Sequence, residues 1–141
     1  MPRKQVGIIQ IPPHVFIDVH EKRTADFLAL HLGYDIKFLA PSRIVGTKTP
    51  DMKMDNKLWE IKSPLGKSPR TIENNLRNAL TQSANIVLDL RRMDRRIPEA
   101  KLLRESERQF HLAKSMKRLI IITRQESYVL SEKAFVKKKA G

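Results

Sequence analysis

Residues 50–63 read PDMKMDNKLWEIKS, and the Asp55-Asn56 pair at their centre limits the fold more than any other feature. Such a pair tolerates the positive φ angles of a two-residue hairpin loop. The runs on either side alternate in the way that strands do. A two-residue loop also sets the register, with Met54 opposite Lys57, Met52 opposite Trp59 and Asp51 opposite Glu60. Met52, Met54, Trp59 and Ile61 then cover one face of the hairpin. Asp51 and Glu60 become direct neighbours on the other face, with Cβ atoms about 5 Å apart. Lys62, two residues beyond Glu60, points the same way.

Like charges placed opposite each other destabilise a hairpin, so this pair calls for a compensating charge. A hard divalent cation takes oxygen ligands and keeps several waters, so two carboxylates suffice where a phosphate supplies more. Lys62 adds a fixed positive charge that can orient a water or stabilise a phosphate. A slipped register would part Asp51 from Glu60 but would leave Glu60 beside Lys62. A fourth charged residue belongs with these. Glu21, Ala25, Leu28 and Leu32 follow the spacing of one helix face, which puts Glu21 at the end of an apolar stripe. There it either serves the acidic site or simply favours the helix N-terminus electrostatically.

The rest of the chain reads as alternating helices and strands. Val19 to Gly33 forms a helix stopped by glycine. Residues 35–41 form a strand, and the hairpin follows. Ser68-Pro69 then opens a helix over 70–84, with Ile72, Leu76, Ala79 and Leu80 towards the core. Residues 85–90 are a buried strand, RRMDRR at 91–96 is a charged loop, and Pro98 opens a third helix to Met116. Residues 118–123 are another buried strand, and SYVLS at 127–131 is a last, edge strand. The order α-β-β-β-α-β-α-β predicts an α/β fold, a mixed sheet flanked by helices on both faces. The 141 residues fit one domain over 19–136. Residues 1–18 read as an extended segment and 137–141 as a mobile basic tail.

The net charge is +13, and it is lopsided. Residues 1–60 hold nine basic against seven acidic side chains, and residues 61–141 hold nineteen against eight. A basic half beside a near-neutral half points to a polyanion, nucleic acid before membrane. No stretch has the apolar length of a membrane span. The N-terminal apolar run is broken by Pro12 and Pro13 and lacks a small-residue cleavage site, which excludes a signal peptide. With no cysteine there is neither a disulfide framework nor a thiolate metal site. These features fit a cytoplasmic site of action.

Pro50-Asp51 followed by Glu60-Ile61-Lys62 on the next strand, after a helix bearing Glu21, resembles the PD-(D/E)xK nuclease superfamily. The resemblance implies a restriction-endonuclease-like core of order α-β-β-β-α-β over residues 19–90. It implies that Asp51, Glu60 and the backbone carbonyl of Ile61 hold Mg²⁺, with Mn²⁺ as an alternative. Lys62 would position or activate water, and Glu21 would assist, through a metal-bound water. A longer likeness runs from Val19 onward. TPDMKMDNKLWEIKSP, NNLRNALTQSANIVLDLRR and RLIIIT are similar to the tRNA-cleaving C-terminal toxin domain of contact-dependent inhibition (CdiA) proteins. That likeness implies a metal-dependent ribonuclease, a cognate immunity protein and delivery into target cells. The chain begins with methionine and no long delivery region precedes the similar part, so an excised domain and a free-standing relative both stand open.

Several basic residues could meet the nucleic acid. Arg70, Asn74, Arg77 and Thr81 recur at helical spacing, a stripe suited to phosphates and sugars or to plain solvation. Arg91, Arg92, Arg95 and Arg96 crowd one loop. Lys101, Arg104, Arg108 and Lys114 lie among acids, which favours surface pairing. Gln82, near the helix end, could reach the site but reads first as exposed; Trp59 reads as core, and Tyr34 and Tyr128 as packing residues before base-stacking ones. Among the histidines His20, beside Glu21, is the best general acid or base for a metal-free ribonuclease, but no second histidine shares an obvious site with it. The site acids do not separate RNA from DNA, so a DNA endonuclease of the same fold and a non-catalytic nucleic-acid-binding protein are the competing readings.

Overall fold

Asp55 and Asn56 both take positive φ, 54° and 58°, the signature of a two-residue turn that matches strand twist. The hairpin they close joins β3 (Met52–Met54) to β4 (Lys57–Lys62), and its register pairs Met54 with Lys57 and Met52 with Trp59, as expected. The structure, a computed structural model, describes residues 5–41, 44–46 and 48–131, and the backbone of 138–140.

Ahead of the hairpin come β1 (Ile9–Gln10), α1 (Val19–Leu32) and β2 (Ile36–Phe38). After it come α2 (Arg70–Ala79), β5 (Asn85–Asp89), α3 (Glu99–Leu112), β6 (Arg118–Ile122), β7 (Ser127–Ser131) and β8 (Lys138–Ala140). The eight strands form one mixed sheet in sequence order. β4, β5 and β6 run parallel, with α2 and α3 as the crossovers, and the other neighbours are antiparallel except β1 with β2.

Strand alternation divides the core in two. Ile86, Leu88, Leu119 and Ile121 pack against Ile72, Leu76 and Ala79 of α2 and Leu102 and Phe110 of α3. Val87, Ile120 and Ile122 turn to the other face, where Met52, Met54, Trp59 and Ile61 pack with Ala25 and Leu28 of α1. Both faces of the sheet are therefore covered, which is why its central strands are apolar throughout.

Several boundaries differ from the sequence reading, and the strand read over 35–41 spans only Ile36–Phe38. α2 stops at Ala79, not Ala84, because Gln82 N and Ser83 N both turn back to the Ala79 carbonyl and reverse the chain into β5. α3 stops at Leu112, since Ala113 is extended and Met116 drops into the core. The N-terminal segment is tied to the fold: Gly7 N donates to Ala29 O, and Ile9–Gln10 pair with β2. Only glycine fits at position 7, where a Cβ would lie 1.8 Å from the Tyr34 carbonyl oxygen. β7 is not an edge, because Lys138–Ala140 of the expected tail pair with it antiparallel. Lys137 and Gly141 lie outside the described residues. Among those described, no helix is long and apolar enough to cross a membrane.

Candidate active site

The place where β3 and β4 part company is fixed by a missing donor. In a hairpin closed by two residues, hydrogen-bonded pairs alternate with non-bonded ones. Continuing the observed register, Asp51 and Glu60 form a non-bonded pair and Pro50 and Ile61 the next bonded one. Proline has no N–H, so the carbonyl of Ile61 lacks its ladder donor. The Ile61 N–H, aimed at the same edge, is taken by Asp51 Oδ2 at 2.8 Å. On its other side Asp51 stays in the sheet, its carbonyl accepting from Leu39 N. The result is a carboxylate and a backbone carbonyl facing one opening.

Glu60 comes from the adjoining strand and is 3% exposed. Its Oε2 accepts from Gln82 Nε2 at 2.8 Å and lies 3.8 Å from Lys62 Nζ. Its Oε1 is buried with no hydrogen-bond partner. Burial pushes the Glu60 carboxyl up to about 8, and the neighbouring Asp51 carboxylate adds to this, while Lys62 opposes it. Glu21 reaches the same place from the first turn of α1. Its carboxyl is pushed up to about 7 by burial first, then by the charge of Asp51, a hydrogen bond with Asp51 and the charge of Asp18. Asp51 thus stands between two acids that its own charge disfavours. Asp18 caps α1 by accepting from His20 N and Glu21 N, which fixes the phase that points Glu21 inward.

The fit to a cation rests on these observations. No group of three or more His, Cys, Asp and Glu side chains among the described residues could hold a metal ion. Two carboxylates, the unpartnered Oε1 of Glu60 and the Ile61 carbonyl do suit a hard ion that keeps waters and takes phosphate oxygens. A cleft of about 320 Å³, lined in part by Lys48, Thr49, Pro50, Asp51 and Gln82, opens onto this place. A larger hollow of about 500 Å³ lies at the other end of the hairpin, around Tyr34, Lys53 and Asn56, away from the charged quartet.

Glu21, Asp51, Glu60 and Lys62 are therefore brought together, as the sequence suggested. Two neighbours join them. Gln82, read first as exposed with the site as its alternative, is half-buried and bonds Glu60. Asn78 accepts from Lys62 Nζ at 3.5 Å. Their spacing of four was the available signal, since it sets both on one side of the α2 terminus.

The basic residues sort differently. Arg70, Asn74 and Arg77 are exposed along α2, with Arg77 paired to Glu73 at 2.8 Å. Arg95 and Arg96 are exposed, and Arg96 is paired to Asp94, whose carboxyl it holds well below the usual range. Arg91 is no free loop cation: it grips both oxygens of buried Asp89 and lies over Phe27 at 4.9 Å. Arg92 donates to Ser63 O at 2.7 Å.

A family model described as the contact-dependent growth inhibition CdiA C-terminal domain matches residues 48–127, the span that carries the hairpin, Gln82 and the arginine loop. None of the curated proteins matches the chain. Among solved structures the fold is similar to a chain titled "CdiA-CT/CdiI toxin and immunity complex from Burkholderia pseudomallei". The TM-score is 0.58 at 18% identity, covering 89% of this chain and 100% of that one.

Proposed function

The chain belongs to the contact-dependent growth inhibition CdiA C-terminal domain family, and from that premise we propose that it is a metal-dependent ribonuclease of PD-(D/E)xK type, a toxin domain that cleaves tRNA. The observation that carries this reading is the buried, unpartnered Oε1 of Glu60 beside Asp51 and Lys62. A structural acid would be buried with both oxygens satisfied.

Asp51, Glu60 and the Ile61 carbonyl would hold Mg²⁺ or Mn²⁺. When bound, the ion neutralises phosphate charge and makes water more acidic. Lys62, anchored by Asn78 and Glu60, directs its ammonium at the phosphate and steadies charge that builds up there as the bond breaks. Gln82 holds Glu60 in one rotamer. Glu21 orients a water on the α1 side. Exposed Arg70, Asn74 and Arg77 on α2, and Arg95 and Arg96 beyond β5, lie where a basic surface can carry RNA by its phosphates. The preference for tRNA comes from the family likeness.

A cognate immunity protein and delivery into target cells follow from the same likeness. At +13, the chain suits an acidic inhibitor that mimics the substrate.

Purified tRNA and plasmid DNA, titrated with Mg²⁺, test the proposal. Cleavage of tRNA is expected, lost in EDTA and lost in Glu60→Gln and Lys62→Ala with the fold intact by circular dichroism. Cleavage that persists in EDTA refutes the metal mechanism. Cleavage of plasmid alone makes the chain a DNA endonuclease, and binding without cleavage makes it a nucleic-acid-binding protein.

A further inference from the structure

A second polar hollow, of about 70 Å³, lies between α1 and the carboxyl ends of β4 and β5, lined by His20, Arg23, Ser63, Asp89, Arg91 and Arg92. That volume is roughly two waters' worth, the scale of one tetrahedral oxyanion. Carboxyl ends of parallel strands are where open α/β sheets take their ligands. Three arginines and one aspartate are among its lining residues, so the lining carries a net formal charge of +2.

The arrangement is built rather than loose. Asp89, 2% exposed, accepts from Thr24 Oγ1 at 2.7 Å and from Arg91 Nε and Nη2 at 2.9 and 2.7 Å. Arg91 also donates to Arg23 O, and its plane rests over Phe27. Arg92 is held by Ser63 O through Nη1 alone. Arg23 donates no side-chain hydrogen bond among the described residues, and His20 Nδ1 is buried without a partner. One aspartate accounts for one arginine. Arg23 and Arg92 add two further guanidinium groups to the lining, like charges that one aspartate does not balance.

We propose that this hollow is a phosphate subsite, in which Arg23, Arg92 and His20 take the oxygens of a phosphate one step along the strand from the bond that is cut. Its lining is contiguous in sequence with the candidate active site, since His20 precedes Glu21 and Ser63 follows Lys62. The identity of the phosphate's owner rests on the nuclease reading, but the subsite does not. Arg91 serves as a fixed floor, and forked donors such as Arg92 match a phosphate's paired oxygens.

Inorganic phosphate, titrated into the metal-free protein at constant ionic strength against a chloride control, tests the hollow without any need for cleavage. Saturating shifts of the His20, Arg23 and Arg92 NMR signals are expected, and Arg23→Gln and Arg92→Gln should each weaken them at least fivefold. Arg23 is exposed, so its variant keeps the fold in view if Arg92→Gln loosens it. Against tRNA in EDTA, each variant should reduce the slope of log affinity on log salt by about 0.7 to 0.9, one phosphate contact. A tRNA lacking its 5′ phosphate that loses as much affinity as the variants assigns the hollow to a terminal monoester. An unchanged affinity assigns it to a backbone diester. Phosphate binding in a chain that cleaves nothing upholds the subsite and removes only the nuclease reading. Unshifted signals for these three residues, with an unchanged salt slope, overturn the proposal.

Discussion

Glu60→Gln should make the metal-free protein more stable, and only at high pH. Below about pH 4.5 the Glu60 carboxyl is protonated in the folded and unfolded chains alike. Between pH 4.5 and about 8 the unfolded chain has released the proton and the folded chain retains it, so wild-type stability falls as pH rises. A carboxyl raised from 4.5 to about 8 corresponds, at ~1.4 kcal/mol per pH unit, to roughly 5 kcal/mol once pH exceeds both values. Glu21 is raised alongside it, so replacing Glu60 alone should recover about half, 2–3 kcal/mol. For a chain of this size that is roughly 10 °C in Tm. Thermal melts in EDTA should therefore show wild type and variant within about 2 °C at pH 5 and separated by roughly 10 °C at pH 9. Saturating Mg²⁺ should close much of the gap, since a ligand at a hundred times its Kd stabilises the binding form by about 2.7 kcal/mol. A variant that is less stable at both pH values, or a gap that does not change with pH, would refute the account of Glu60 as a buried acid held against its charge.

Three other outcomes follow from particular contacts. Gln82→Ala removes the one donor amide on Glu60 and should cost about 1–2 kcal/mol in urea unfolding at pH 6, besides reducing kcat. Asn56→Val forces a β-branched residue to a φ of 58° and should cost about 1–3 kcal/mol, read as a lower denaturation midpoint with the slope unchanged. Asp51→Asn should abolish Mn²⁺ binding measured by calorimetry while leaving the far-ultraviolet circular dichroism as it is in the wild type.

The hairpin was legible because its register follows from two residues with unusual backbone tolerance and from a period of two, both local. The phase of α1 was legible because Ala25 and Leu28 must face the sheet, which carries Glu21 with them. What escaped was set by distant partners. Gln82 lies past the end of α2, and only the chain reversal after Ala79 turns it onto Glu60. Arg91 looked like one of four equivalent loop arginines until the buried carboxylate of Asp89 singled it out. β1 and β8 are two and three residues long, too short for any pattern, and exist because β2 and β7 offer them open edges.

Pro50 carries a consequence of its own. The next rung beyond Asp51 loses one of its two hydrogen bonds to an imide nitrogen that carries no hydrogen, and the Asp51 side chain takes the donor of the other. The opening at the Ile61 carbonyl is thus written into covalent structure and would outlast the removal of every charge around it. Replacing Pro50 with alanine supplies that hydrogen and lets the ladder close over the Ile61 carbonyl, with all four charged side chains still in the sequence.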